Sequence, residues 1–316
     1  MILVTGANGF VGQGLCAELA RRGVAVRAAV REHGGGTMLA RDVVAVGDLC
    51  REVDWSPALR GVDTVVHLAA RVHVMNDRAK DPLEEFRLVN VNATTRLARN
   101  LVACGVRRIV YVSSIKVNGD STRDKPFRPD DPPNPQDAYG LSKLEAEQAL
   151  WRISNETGLE VVVVRPPLVY GPAVKGNFLR LLKLVQRRIP LPIGAIENRR
   201  SMIYSGNFAH ALVACAIDAN AAGKTYVVSD GEDLSTPELT RRLARAVGTS
   251  ARLVPVPAVI LRVAGALAGR TDEIDRVIGS LVVDGSRIRS ELRWRPPYSM
   301  NDGLAETAKW FSSTTS

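Results

Sequence analysis

Two side chains four positions apart, Tyr139 and Lys143, have the clearest potential for chemistry in this chain of 316 residues. Residues at positions i and i+4 lie on one face of a helix, so both side chains would point into the same site. A tyrosine with its ordinary pKa of about 10 is a poor base at neutral pH, but a nearby lysine ammonium favours the phenolate and lowers that pKa. The spacing therefore predicts that Tyr139 exchanges a proton with a substrate oxygen.

Ser114 directly follows a predicted strand, 109–113, and ligands of open α/β sheets bind beyond the carboxyl ends of strands. We therefore expect the Ser114 hydroxyl to orient the substrate oxygen beside Tyr139, and we count Lys116 among the substrate-binding residues. Taken alone, Tyr139 and Lys143 could also be a pair of surface residues on an exposed helix, and this is the alternative interpretation.

A glycine-rich turn opens the chain between a predicted strand, 1–5, and a predicted helix, 11–22. Glycines permit a tight turn and close approach of the backbone to a pyrophosphate, and the helix N-terminus presents free N–H groups to the phosphates. A purely structural turn is the alternative, but the position at the first strand of a βαβ series favours a dinucleotide site. The predicted cofactor contacts at this turn are Gly6, Asn8, Gly9, Phe10, Val11 and Gly12.

The residues that end the second predicted strand, 25–30, should indicate which dinucleotide is bound. An acidic residue there holds the ribose 2′-hydroxyl of NAD, whereas an arginine accommodates the 2′-phosphate of NADP. The strand ends at Val30, and Arg31 and Glu32 follow it. This pattern favours NADP(H), although Glu32, or a merely solvated Arg31, leaves NAD(H) open.

Asp48 and Leu49 follow the third predicted strand, 43–46, where the adenine of the dinucleotide would lie. The carboxylate of Asp48 would accept a hydrogen bond from the exocyclic amine, and Leu49 would contact the ring. An ordinary helix cap formed by Asp48 is the alternative interpretation.

The order of the predicted elements is that of an α/β protein with a doubly wound parallel sheet. Residues 166–316 are richer in proline and glycine breaks, and they predict a smaller, mostly helical substrate domain interleaved with the last sheet strands. Residues 1–165 then form the dinucleotide-binding Rossmann domain. The predicted strands are 1–5, 25–30, 43–46, 64–68, 109–113 and 161–165, with a later one at 225–228, and the main helices are 11–22, 83–104 and 138–156.

The composition, with 46% hydrophobic and 24% charged residues, is typical of a folded protein. The four cysteines lie far apart and the four histidines have no metal-ligand spacing, so we expect no metal site and no disulfides, as in a reducing cytoplasm. The net charge of +9 comes from scattered arginines, without a basic run that alternates with aromatic residues. We therefore expect no nucleic-acid partner, and the charge suits a small anionic substrate.

Membrane association is the remaining question that composition addresses. Residues 1–5 lead directly into the glycine turn, so we expect no signal peptide. The apolar stretch 258–268 contains Arg262 and is too short to span a bilayer. It predicts a buried core helix, with contact to a membrane surface as the alternative.

Taken together, the motifs resemble those of the extended short-chain dehydrogenases/reductases, and within them the nucleotide-sugar branch that includes UDP-glucose 4-epimerase. The resemblance implies that Leu68, Ala69, Ala70 and Asn90 line the cofactor and that Asn177 and Arg200 bind a uridine diphosphate. It also implies a homodimer formed through helices 83–104 and 138–156. The motifs are Gly6-x-x-Gly9-x-x-Gly12, His67-Leu68-Ala69-Ala70, Asn90-Val91-Asn92, Ser113-Ser114 and Tyr139-x-x-x-Lys143.

Further segments resemble a group from bacterial polysaccharide gene clusters, namely 113–119, 165–172 and 229–236. This resemblance implies reduction of a UDP-4-keto-6-deoxy-N-acetylhexosamine to UDP-N-acetylquinovosamine, with a UDP-hexose 4-epimerase that retains NAD as the alternative. Nucleotide-sugar 4,6-dehydratases have Asp-Glu after the catalytic serine or threonine. Here Ile115 and Lys116 follow Ser114, which excludes a dehydratase.

The choice between reductase and epimerase depends on how tightly the cofactor is held. The absence of an acid at Val30 favours NADPH and a cofactor that dissociates, and hence a reductase. A dinucleotide-binding sensor or scaffold without catalysis is the third interpretation. Such proteins commonly lose the tyrosine or the lysine, and this chain has both Tyr139 and Lys143.

Overall fold

A computed structural model describes residues 1–32, 40, 42–72 and 81–315 of the chain. Within these residues, seven strands form one sheet in the order β3-β2-β1-β4-β5-β6-β9, and every neighbouring pair is parallel. This is the predicted doubly wound α/β sheet, which is confirmed. The strands are β1 (Ile2–Thr5), β2 (Val26–Val30), β3 (Asp42–Ala45), β4 (Thr64–His67), β5 (Arg108–Val112), β6 (Glu160–Arg165) and β9 (Lys224–Val227).

Helices cover both faces of the sheet because its central strands are apolar on both sides. Every residue of β1 and β4 is buried, and each face of the sheet contributes to its own hydrophobic cluster. The first face carries α1 (Phe10–Arg21), α7 (Ser205–Ile217) and α11 (Ser286–Glu291), and the second carries α2 (Ser56–Leu59), α4 (Ala93–Ala103) and α5 (Ala138–Thr157).

The helix predicted over 83–104 contains an interruption that its sequence pattern does not indicate. It consists of α3 (Pro82–Arg87), one π-helical turn (Leu88–Asn92) and α4. The side chain of Asp81 accepts hydrogen bonds from the N–H groups of Leu83 and Glu84 and so caps the start. At the other end Gly105 has a φ of +71°, as predicted for a glycine that terminates the helix.

The second half of the chain is mostly helical, as predicted, but it also contains short strands that the sequence analysis did not predict. Three short strands form a second sheet in the order β10-β8-β7, which the sequence analysis missed because such short strands show little periodicity. Strand β9 returns to the large sheet, so the halves are interleaved, and the division at residue 165 stays a proposal. The additional elements are β7 (Leu168–Tyr170), β8 (Arg200–Tyr204), β10 (Asp233–Leu234), α6 (Gly176–Gln186), α8 (Thr236–Ala246), α9 (Ala258–Leu267), α10 (Thr271–Ile278) and α12 (Met300–Thr315).

Helix α9 is not the buried core helix that its composition predicts. It buries Leu261 and Gly265, whereas Val263 is 56% exposed and Leu267 is 86% exposed. The reason is that α9 and α10 pack on one side only, over a small cluster that includes Ile193. No helix among the described residues is both long and apolar enough to cross a membrane.

Arg108 joins the sheet to α7 from a fully buried position at the start of β5. Its Nε lies 2.7 Å from a carboxylate oxygen of Glu160, and its Nη1 donates to the carbonyl oxygens of Cys215 (3.1 Å) and Asp218 (2.6 Å). The last carbonyls of a helix have no partner inside the helix, so the guanidinium satisfies the C-terminus of α7.

Arg108→Met should lower the free energy of unfolding by about 3 kcal/mol or more, because Glu160 and the α7 carbonyls lose a buried cation. The matched control is Arg107→Met, since Arg107 binds the same Glu160 but is 52% exposed. That change should cost less than about 1 kcal/mol. Chemical denaturation of both variants measures the difference, and equal losses would contradict the role of Arg108.

Candidate active site

The glycine turn after β1 has a backbone that leaves no room for side chains. Gly6 has a φ of +65°, and a Cβ there would lie 2.9 Å from the backbone nitrogen of Ala69. A Cβ on Gly12 would lie 2.3 Å from the carbonyl oxygen of Gly6 and 2.7 Å from Cα of Ala7. Gly9 begins α1 without a side-chain cap, and the first turn of this helix has no acidic residue. The turn therefore fits a dinucleotide pyrophosphate.

The other residues predicted at this turn contribute in different ways. Asn8 is exposed, and its carbonyl oxygen accepts a hydrogen bond of 3.2 Å from the side chain of Gln13. Phe10 packs against the cluster of the second half of the chain, and Val11 packs against the main core. Their side chains thus hold the helix in place, and any contact of Phe10 or Val11 with a phosphate would come from the backbone.

The residues predicted to contact the ribose and the adenine follow β2 and β3, and they differ in how exposed they are. Val30 is buried, whereas Arg31 and Glu32 are exposed. Asp48 accepts a hydrogen bond of 3.0 Å from the N–H of Cys50, and this bond lowers the pKa of its carboxyl. Asp48 therefore stabilises a turn and not the helix cap considered above, and Leu49 packs against the core beneath it.

A buried histidine, whose function the sequence analysis did not consider, connects the cofactor edge to the helices below it. His67 at the end of β4 bonds Thr5 through Nδ1 (2.7 Å) and Thr94 through Nε2 (3.0 Å). Burial lowers the pKa of His67 to about 3, so the ring is neutral. The same Thr5 hydroxyl accepts the N–H of Ala69 at 3.3 Å, which fixes the loop containing Leu68, Ala69 and Ala70 beside the glycine turn.

Asn90 lies on the π-helical turn, and both N–H groups of its amide are used inside the protein. Nδ2 donates to the carbonyl oxygen of Arg71 and to the hydroxyl of Ser142, each at 3.0 Å, while Oδ1 accepts the N–H of Arg71 at 2.9 Å. These bonds tie the loop after β4 to α5. The predicted contact of Asn90 with the nicotinamide would have to use its carbonyl oxygen.

Ser114, Tyr139 and Lys143 come together at the carboxyl end of β5. Asp137 caps α5 by accepting the N–H of Gly140 at 2.7 Å, so that the helix starts at Ala138, one residue before Tyr139. The hydroxyls of Tyr139 and Ser114 share a hydrogen bond. The ammonium of Lys143 donates to the carbonyl oxygen of Val112 at 2.8 Å and lies 6.0 Å from the centre of the Tyr139 ring.

The prediction that Lys143 lowers the pKa of Tyr139 is wrong for this structure. Burial raises the pKa of Tyr139 to about 12, although the hydrogen bond with Ser114 opposes this shift. Burial also lowers the pKa of Lys143 to about 7. The Lys143 ammonium is directed at the Val112 carbonyl and lies over the Tyr111 ring at 4.6 Å. At neutral pH Tyr139 therefore carries its proton and is a donor.

The predicted substrate residue Lys116 is already paired within the protein. Its ammonium forms an ion pair with Asp137 and a second, at 3.4 Å, with Asp120. Its charge is therefore balanced beside the start of α5, where it supports the cap. The contact of Lys116 with a substrate stays a prediction.

Asn177 and Arg200, the residues expected to bind a diphosphate, lie on separate elements of the second half. Asn177 is exposed on the first turn of α6. Nη1 of Arg200 donates to the carbonyl oxygens of Arg276 (2.8 Å) and Gly279 (3.1 Å), and burial lowers the pKa of its guanidinium. Among the described residues, no group of three or more His, Cys, Asp or Glu side chains is arranged to hold a metal ion.

The parallel sheet, the glycine turn and the cluster of a serine, a tyrosine and a lysine are together typical of a dinucleotide-dependent oxidoreductase. The chain belongs to the NAD dependent epimerase/dehydratase family, whose model matches residues 2–229. A UDP-glucose 4-epimerase of Vibrio cholerae is 40% identical over 317 residues, which cover 98% of this chain and 95% of that protein.

Two solved structures have the same fold. The UDP-glucuronic acid 4-epimerase of Bacillus cereus in complex with NAD has a TM-score of 0.80 at 22% identity, over 99% of this chain and 96% of that one. MoeE5 in complex with UDP-glucose and NAD has a TM-score of 0.78 at 25% identity, over 100% and 99%. The Bacillus cereus likeness is one of fold alone.

These similarities test the predictions of the family, of enzymatic activity and of the cofactor. An extended short-chain dehydrogenase/reductase is confirmed, and so is an enzyme as opposed to a non-catalytic sensor or scaffold. NAD is the dinucleotide in the family's description and in both solved relatives, and none of them supports the predicted preference for NADP(H).

Gly12→Ala should weaken dinucleotide binding at least about tenfold, or about 1.4 kcal/mol, because its Cβ collides with the backbone of the turn. The matched control is Gly14→Ala on the same helix, where a Cβ would meet nothing within 4 Å. That change should leave binding unaltered and stabilise α1 by up to about 1 kcal/mol. Fluorescence titration with NADH measures both variants, and binding by Gly12→Ala as tight as by the unchanged protein would contradict this account.

Proposed function

We propose that this enzyme transfers hydride at C4 of a UDP-linked sugar, as a reductase that converts a UDP-4-keto-6-deoxy-N-acetylhexosamine to UDP-N-acetylquinovosamine. One observation carries the proposal: at the carboxyl end of β5 the buried phenol of Tyr139 lies beside Ser114, with the Lys143 ammonium 6.0 Å from its ring centre. Burial raises the pKa of this phenol to about 12, so it carries its proton at neutral pH. A buried phenol beside a hydroxyl is suited to give a proton to a carbonyl oxygen. When bound, the reduced nicotinamide supplies the hydride.

The residues of the chain then have distinct tasks. Ser114 donates a hydrogen bond that orients the C4 carbonyl oxygen of the substrate, and Tyr139 gives this oxygen its proton as C4 gains the hydride. The phenolate left on Tyr139 is a buried anion, and the Lys143 ammonium one helical turn away stabilises it. With its pKa near 7, Lys143 can also exchange a proton with solvent near neutral pH and so restore the phenol.

The substrate class is proposed from chemistry at the other end of the site and from the relatives. Arg200 is a partly buried cation, and an arginine gives charge-assisted hydrogen bonds to diphosphate oxygens. Asn177 lies on the first turn of α6, where backbone N–H groups favour an anion. The Vibrio cholerae relative is a UDP-glucose 4-epimerase and MoeE5 forms a complex with UDP-glucose, which supports a UDP-sugar as the substrate of this chain.

A UDP-hexose 4-epimerase is the second candidate, and the 40% identity to the Vibrio cholerae UDP-glucose 4-epimerase favours it. An epimerase must first remove a proton from the C4 hydroxyl, so its tyrosine has to act as a base. The raised pKa of Tyr139 suits the acid role in the step that reduces a C4 ketone, and both candidates include this step. A homodimer through residues 83–104 and 138–156 stays a prediction of the family resemblance.

A product assay separates the two candidates. With NADH or NADPH, the enzyme should reduce the 4-keto sugar nucleotide in one turnover per cofactor, and Tyr139→Phe should lower kcat at least about 100-fold without loss of cofactor binding. Tyr298→Phe, at an exposed position, is the matched control and should keep full activity. Tightly retained NAD, with interconversion of UDP-glucose and UDP-galactose without added cofactor, would overturn the reductase in favour of the epimerase.

We further propose that NADP(H) is accepted beside NAD(H), because the exposed Arg31 follows the buried Val30 at the end of β2. Arg31→Ala should then raise KM for NADPH about tenfold and leave KM for NADH nearly unchanged. Glu32→Ala is the reciprocal variant at the next exposed position. A loss of NADH affinity in Glu32→Ala, with no effect of Arg31→Ala on NADPH, would show that Arg31 is only a solvated charge.

A further inference from the structure

One face of α5 contacts three consecutive residues at the end of β5. Tyr139, Lys143 and Glu147 are spaced by four residues, and each binds a different one of these residues. The bonds join the Tyr139 hydroxyl to the Ser114 hydroxyl, the Lys143 ammonium to the Val112 carbonyl oxygen at 2.8 Å, and the Glu147 carboxylate to the Ser113 hydroxyl. The first two positions belong to the proposed catalytic group, and the third, Glu147, has no part in it so far.

The carboxylate of Glu147 is fixed from its other side by Arg165 at the end of β6. Glu147 is 1% exposed and Arg165 is 5% exposed, and the guanidinium binds both carboxylate oxygens, at 3.0 and 2.6 Å. The remaining nitrogen of Arg165 donates to the side chain of Asn118 and to the carbonyl oxygen of Pro129, each at 3.1 Å. A bidentate buried pair of this kind holds its carboxylate in one geometry.

We propose that Glu147, held by Arg165, is a positioning residue. It fixes the position of α5 along its axis relative to the end of β5, and its negative charge keeps the Lys143 ammonium charged. This inference rests on the proposed function, because it assumes that Tyr139 and Lys143 act together. By holding Ser113, Glu147 fixes the backbone between the Val112 carbonyl that binds Lys143 and the Ser114 hydroxyl that meets Tyr139.

The charges around Lys143 give Glu147 a second effect. On α5 itself, Tyr139 and Glu147 face the ammonium; from β5, Tyr111 places its ring 4.6 Å away; and from β4, His67 faces it as a neutral ring. Burial lowers the pKa of Lys143 to about 7, and the Glu147 carboxylate opposes this shift. Removal of the negative charge should therefore lower the pKa of Lys143 further, and the neutral amine would prevail at neutral pH.

The first test is Glu147→Gln in the full chain, a change that removes the charge and keeps the shape. Because the phenolate of Tyr139 needs a charged Lys143, kcat should fall about tenfold at about pH 8 and much less at about pH 6. The alkaline limb of the kcat profile should move down by about one pH unit, with KM for sugar nucleotide and cofactor within about twofold. An unshifted limb would overturn the proposal.

Glu145→Gln is the matched control on the same helix. Glu145 also forms a bidentate pair with an arginine, Arg87, but at a partly exposed position on α5. Its pH profile should equal that of the unchanged enzyme. A shift of the limb in both variants would show a general effect of charge on α5 and would also overturn the proposal.

Glu147→Asp separates the charge from the position, because it retains the carboxylate but withdraws it by one methylene. Its kcat should fall at every pH without a shift of the limb.

If Glu147→Gln fails to fold, Ser113→Ala tests the positioning part, since it removes only the hydroxyl that binds Glu147. There kcat must fall at constant KM, and an unchanged kcat would overturn the role of this contact.

A readout that needs no substrate separates this inference from the proposed function. NMR titration of isotope-labelled lysine, with the Lys143 signal assigned by Lys143→Met, should show a lower pKa for Lys143 in Glu147→Gln than in the unchanged protein. An unchanged pKa would overturn the electrostatic part of the proposal. Absence of activity on a 4-keto sugar nucleotide together with a shifted Lys143 pKa would instead reject only the proposed function.

Discussion

The arrangement of the candidate active site depends on how one face of α5 packs against the carboxyl end of β5. The helix begins at the Asp137 cap, and its successive turns place Tyr139 beside Ser114 and the Lys143 ammonium on the Val112 carbonyl. A lysine that is 2% exposed is stable in the core only if its polar hydrogens have partners. The Val112 carbonyl and the aromatic face above β5 provide them, so the position of the ammonium is determined by the end of the strand.

Burial determines the protonation states of this site more than the lysine charge does. Tyr139 and Lys143 both leave water, and burial favours the uncharged form of each, a phenol with a pKa near 12 and an amine with a pKa near 7. The resting site therefore contains a proton donor and a lysine that changes charge close to neutral pH. A protonated phenol suits the proposed reduction of a carbonyl group, in which the Lys143 ammonium would stabilise the phenolate formed by proton transfer.

Buried polar side chains that hydrogen-bond to one another hold the cofactor edge of the sheet together. Thr5, His67 and Thr94 form one chain of hydrogen bonds under the glycine turn, and Asn90 ties the loop after β4 to α5. Because these four side chains are hydrogen-bonded within the protein, they hold the loops around the glycine turn in one arrangement. Arg200, the residue proposed to bind a diphosphate, is held to backbone carbonyls in a similar way.

The sequence by itself determined the parallel sheet, the glycine turn and the shared face of Tyr139 and Lys143, because strand apolarity, glycine geometry and helical spacing are local properties. Only the tertiary structure decided which distant groups meet. The pairing of Lys116 with Asp137 and the π-helical turn around Asn90 depend on neighbours far along the chain. The pKa values follow from burial, which spacing does not reveal. The three strands of the second sheet and the exposed face of α9 were missed because short strands have no clear period and because exposure depends on what packs above a helix.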